Sequence, residues 1–117
     1  MIKFGHIELF VAKPAGSAEF YERVLGFEET IRINENLIWM QLGALEILLR
    51  QGTVSDPAAR YEESANGIVL YTENISATKA ELEARGLKFR GTVDSNKCWT
   101  FTDPDGNWFQ LVNPNDH

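Results

Sequence analysis

Few residues in this chain can do chemistry, and their neighbours decide what each can do. Two histidines, His6 and His117, and one cysteine, Cys98, are the whole supply of imidazole and thiol. His6 alternates with Glu8 and Phe10 through Lys3–Ala12, so an imidazole, a carboxylate and a ring share one side of an extended segment. Glu46 stands among Leu45, Ile47, Leu48 and Leu49, where a charge must face solvent, a cavity or a partner. If it faces a cavity, it is the best acid-base candidate in the chain. Arg50 can hold a carboxylate or phosphate through paired N–H donors, or be neutralised by Glu8 or Glu46. Cys98 can form no disulfide within the chain, and a nucleophilic thiol would need a histidine beside it, so it reads as a small buried strand residue. His117, at the terminus, is badly placed to be a metal ligand.

The elements that position these residues come in two matching sets. Lys3–Ala12 predicts a strand, Ser17 caps a helix running to Leu25 and closed by Gly26, Phe27–Ile33 is a strand, and Asn34–Asn36 a turn. Leu37–Leu42 and Leu45–Gln51 complete the set as a hairpin through Gly43-Ala44. Gly52–Asn66 is polar and aperiodic, a linker with one helical turn around Ala58–Tyr61. The order then repeats as strand Gly67–Thr72, helix Ser76–Arg85 closed by Gly86, and strand Leu87–Gly91. Strands Lys97–Thr102 and Asn107–Asn113 follow, joined through Asp103-Pro104-Asp105-Gly106. The expectation is one α+β domain over 1–117: a βαβββ module over about 1–51, the linker 52–66, and a second module over about 67–114. Two copies are too few for a solenoid, so their sheets should pair around a shared cup with the helices outside.

Composition narrows the function. The net charge of −6 and pI near 4.9 leave no basic patch to displace counterions from a phosphate backbone, so no nucleic-acid partner is expected. No apolar run approaches the roughly 20 residues that cross a bilayer, and the charged N-terminal stretch is unlike a signal peptide. The expectation is a cytoplasmic protein without a membrane partner.

Three stretches carry a family resemblance: Gly5-His6-Ile7-Glu8-Leu9-Phe10-Val11, Phe20-Tyr21-Glu22-Arg23-Val24-Leu25-Gly26-Phe27, and Asp103-Pro104-Asp105-Gly106-Asn107-Trp108-Phe109-Gln110-Leu111. In this order they resemble the vicinal oxygen chelate superfamily, which includes glyoxalase I, extradiol dioxygenases, and the fosfomycin and bleomycin resistance proteins. The resemblance implies a glyoxalase/bleomycin resistance-like fold and commonly a homodimer. It also implies metal-ligand positions on the first and last strands of each module, here His6, Glu46, Gly67 and Gln110. Gly67 has no side chain and Gln110 is a neutral amide, so a His6, Glu46, Gln110 site would be loose. No second histidine is placed for a dioxygenase triad, and Gln110 cannot shuttle a carbon-bound proton as a glyoxalase carboxylate does.

With His6, Glu46 and Gln110 turned inward, alternation brings Glu8, Phe10, Arg50, Tyr71 and Trp108 to the same lining. On the remaining strands either Trp39 and Gln41 or Ile38 and Met40 face inward, and either Trp99 and Phe101 or Cys98 and Thr100. The aromatic sets are favoured because amphipathic rings suit a partly wet wall, although strand tryptophans also fill cores and interfaces. The leading expectation is a small-molecule-binding protein, similar to the bleomycin-resistance branch in antibiotic resistance, that sequesters an aromatic or cationic ligand without cofactor or metal. The alternative is a divalent-metal lyase, isomerase or transferase using the reduced His6-Glu46-Gln110 set. A third is a scaffold whose cup is filled by its own side chains.

Overall fold

A computed structural model of the chain describes residues 1–53 and 56–116; His117 lies outside them. The chain divides into two compact units, Met1–Ser55 and Asp56–His117, so most of the segment read as a linker belongs with the second unit.

In the first unit, β1 (Ile7–Val11), β2 (Glu28–Asn34), β3 (Leu37–Leu42) and β4 (Leu45–Gln51) form one sheet in the order β1-β4-β3-β2. β1 runs parallel to β4, and the other neighbours are antiparallel. The parallel pair requires a crossover, which α1 (Pro14–Arg23) supplies. Alternation sorts β1 and β3, whereas β4 also buries Leu48 on its other face and β2 is exposed along most of its length. Leu9, Val11, Ile38, Met40, Ile47 and Leu49 are buried with Tyr21 of α1 and with Phe27, whose ring meets Tyr21 edge-on at 5.2 Å. The helix begins at Pro14, not at Ser17. Lys13 is the N-cap without a side-chain bond, and Ser17 is buried with its N–H donating to the Lys13 carbonyl. Proline suits the first helical position because its φ is already set and no N–H is needed there.

The second unit holds β5 (Ile68–Tyr71), α2 (Ile75–Ala84), β6 (Trp99–Thr102) and β7 (Trp108–Val112), with the strands ordered β5-β7-β6. Asn74 caps α2 by accepting from the Ala77 N–H at 3.0 Å. The β6–β7 turn is closed by Asp103, which accepts from the N–H groups of Asp105 and Asn107 at 2.9 and 2.8 Å and from the Asn107 amide at 2.8 Å. Gly106 sits in the turn at φ +88, and a Cβ there would fall 2.6 Å from Pro57 Cβ. Both the turn and the approach of Pro57 therefore require glycine.

Leu87–Gly91 does not form the expected strand. Arg90 and Gly91 still pair with Thr100, the Arg90 N–H donating at 2.7 Å and the Gly91 carbonyl accepting at 2.9 Å. Gly91 at φ +91 and Asp94 at φ +64 turn the chain out of the extended region, leaving an isolated bridge between Thr92 and Trp99. The helical turn expected around Ala58–Tyr61 lies at Tyr61–Glu63. Among the described residues no helix is long and apolar enough to cross a membrane.

Candidate functional site

Register assembles the polar face of the first sheet. Glu8 pairs with Leu48, Phe10 with Arg50, Trp39 with Leu48, and Gln41 with Glu46, so these side chains all stand opposite the buried helix face. His6 immediately precedes Ile7, the partner of Ile47, which brings it to the level of Glu46 on the adjacent strand. Register thus brings Glu8, Phe10, Trp39, Gln41, Glu46 and Arg50 to one face, as alternation predicts, with Ile38 and Met40 on the helix side.

Glu8 organises this face. One carboxylate oxygen accepts from Arg50 Nε at 2.7 Å, and the other lies 2.9 Å from His6 Nε2. The two hydrogen bonds, that from Arg50 first and that from His6 second, hold the Glu8 carboxyl below its ordinary value and outweigh desolvation. The same bond to Glu8 raises the Arg50 guanidinium. His6 meets the Trp39 ring edge-on, with centroids 4.5 Å apart. All of this remains within reach of solvent, since the side chains of His6, Glu8 and Arg50 are 29, 32 and 43% exposed. Leu48 is buried in the middle of the face, Phe10 is 47% exposed, and Glu46 is open to solvent. Gln41 donates to the Gly43 carbonyl at 3.1 Å within its own hairpin.

The second sheet differs. Gln110, Trp108, Val69 and Tyr71 share a face, as alternation predicts, but Trp99 and Phe101 do not join them. Thr100 pairs with Gln110 and Thr102 with Trp108, which turns Trp99 and Phe101 to the helix side. There Phe101 stacks on Phe109 at 5.2 Å, and Lys79 of α2 lies 4.3 Å over the Trp99 ring. Cys98 is buried, as its size and type imply.

Part of the Gln110 face is covered by the segment that precedes β5. Trp108 Nε1 donates to the Ala58 carbonyl at 2.8 Å, and Arg90 donates to the Ala59 carbonyl at 3.3 Å while lying 4.6 Å over the Trp108 ring. Gln110 Nε2 donates to the Tyr61 hydroxyl at 3.1 Å, and the buried Gln110 Oε1 has no partner among the described residues. The Tyr61 ring also blocks position 67, where a Cβ would fall 2.7 Å from Tyr61 Cζ. Nothing in the polarity or spacing of this segment marks it as a cover; its one aromatic, Tyr61, is the only clue in the sequence.

Neither unit by itself offers a divalent ion a good ligand set. In the first, His6 is already bonded to Glu8; in the second, position 67 has no side chain and its space holds Tyr61, and Gln110 supplies a neutral amide. Among the described residues no three His, Cys, Asp or Glu side chains gather closely enough to hold a metal.

No curated protein sequence matches the chain. Solved structures do. A genomically encoded fosfomycin resistance protein, FosX, from Listeria monocytogenes is similar at TM-score 0.74 and 17% identity, over 97% of this chain and 92% of that one. Lactoylglutathione lyase from Agrobacterium tumefaciens gives 0.70 and 16%, over 96 and 93%. TioX from a Micromonospora species gives 0.70 and 13%, over 94 and 98%. At such identities the likeness establishes the α+β fold. The sequence model of the Glyoxalase/Bleomycin resistance protein/Dioxygenase superfamily matches residues 3–111, and the chain belongs to that superfamily.

Proposed function

We propose that this chain is a small-molecule-binding protein that captures an aromatic or cationic ligand on the polar face of the first sheet without a metal. One observation carries the reading: the Arg50–Glu8–His6 chain of hydrogen bonds stands beside the Trp39 ring and is open to solvent. A ring to stack on, next to a few fixed polar groups, is what recognition of a small organic molecule requires. Glu8 is engaged by Arg50 and His6, so a cationic ligand would look to Glu46. The fosfomycin resistance proteins among the structural neighbours make antibiotics one ligand class to include. The chain is read as a cytoplasmic homodimer, which sedimentation would check.

Calorimetric titration of chelator-treated protein with aromatic acids, aromatic cations and neutral aromatics tests this reading. It requires at least one saturable ligand whose affinity falls tenfold or more in Trp39→Ala. The level register of His6 and Glu46 favours a second reading, a divalent-metal lyase, isomerase or transferase in which Glu46 acts as base. Stoichiometric binding of Mn, Fe, Ni, Co or Zn that disappears in His6→Ala would overturn the first reading, and metal-dependent turnover lost in Glu46→Gln would support the second.

A further inference from the structure

The geometry points to an acceptor-binding subsite at Arg50, and we infer that the ligand is an aromatic acid whose carboxylate or comparable oxyanion docks there. The inference rests on the binding role proposed for the same face and adds the ligand's chemical class.

Arg50 meets Glu8 through Nε alone, and among the described residues its Nη1 and Nη2 groups have no hydrogen-bond partner. A guanidinium held at one edge keeps its outer fork oriented, and that fork matches the two oxygens of a carboxylate. Arg50 borders a shallow, open surface depression of about 470 Å³ with Asn34, Glu35, Asn36, Leu37 and Gln51. Asn36, in the turn between β2 and β3, brings a neutral amide to the residues around it. Glu35 opposes an anion, and Glu8 offsets the charge of Arg50, so selectivity comes from the direction of the donors more than from net field.

Scale agrees with chemistry. Leu37 pairs with Arg50, and Trp39 stands two residues further along β3 on the same face. That diagonal is about 7–8 Å, which a single ring bearing a carboxylate can span from the indole to the guanidinium.

The test is calorimetric titration of the full chain, in chelator, with benzoate, benzamide and benzylamine. Benzoate is expected to bind at least tenfold more tightly than the other two, and Arg50→Met to remove that preference. Arg50→Lys keeps the charge without the fork and should recover only part of it. Equal affinity for all three probes, with dependence on Trp39, would overturn the acid assignment and leave the binding role standing. Benzoate selectivity unchanged in Arg50→Met would also overturn it. Failure of every probe, and of the wider panel, would remove the binding role and this inference together.

Discussion

The Glu8 carboxylate accepts from Arg50 Nε at 2.7 Å although 42 residues separate the two in the chain. The contact spans the parallel β1–β4 pair, so its formation requires the crossover through α1 to be complete. Because the other oxygen of Glu8 engages His6, one carboxylate fixes both basic groups of the candidate site.

Acid should weaken this arrangement, and the sign follows from Glu8. Its carboxyl is held below the ordinary value of 4.5, so its stabilising contribution is fully present above that value and is lost as pH falls through the folded-state pKa. Arg50 is raised and stays charged throughout the acid range, so it adds no loss there. Urea midpoints measured between about pH 6 and pH 3 should fall less steeply for Glu8→Gln than for the native chain. Equal slopes would show that the contact is not maintained in solution.

Position 67 offers a test of the covered second sheet. An added methyl must displace the Tyr61 ring and break its bond with Gln110, so Gly67→Ala should cost about 1–3 kcal/mol. In a Tyr61→Ala background the same change should cost no more than about 0.5 kcal/mol. Chemical denaturation of the four proteins closes the cycle, and purely additive costs would contradict the packing.

The two faces of β4 should respond differently. Leu49→Ala empties a fully buried position and should cost about 2–5 kcal/mol, whereas Glu46→Ala on the exposed face should stay within about 0.5 kcal/mol. Comparable losses at both positions would mean that the face assignment is wrong.

Legibility in the sequence followed burial. In β3, Leu37, Trp39 and Gln41 alternate with the buried Ile38 and Met40, so one face was readable and Trp39 was placed beside His6. β7 is buried at every position from Trp108 to Val112, and with both faces covered the period-two signal disappears. On neighbouring β6 the burial of Thr100 and Phe101 likewise hides the alternation, and the suitability of rings for a partly wet wall carries no information about register, so Trp99 and Phe101 fall on the helix side against expectation. The cover over Gln110 was illegible for another reason. Two of its anchors are backbone carbonyls, those of Ala58 and Ala59, and main-chain acceptors leave no mark in the sequence. The bond from His6 to Glu8 was likewise beyond strand periodicity, which gives the face of a side chain but not its rotamer.

Metal-free binding on the first sheet is the central claim, and chemical-shift mapping during a benzoate titration in excess chelator tests it most directly. The account predicts saturable shifts concentrated at His6, Trp39, Leu48 and Arg50. Shifts that appear there only after a divalent ion is restored, or that arise only around Tyr61 and Gln110, would contradict it.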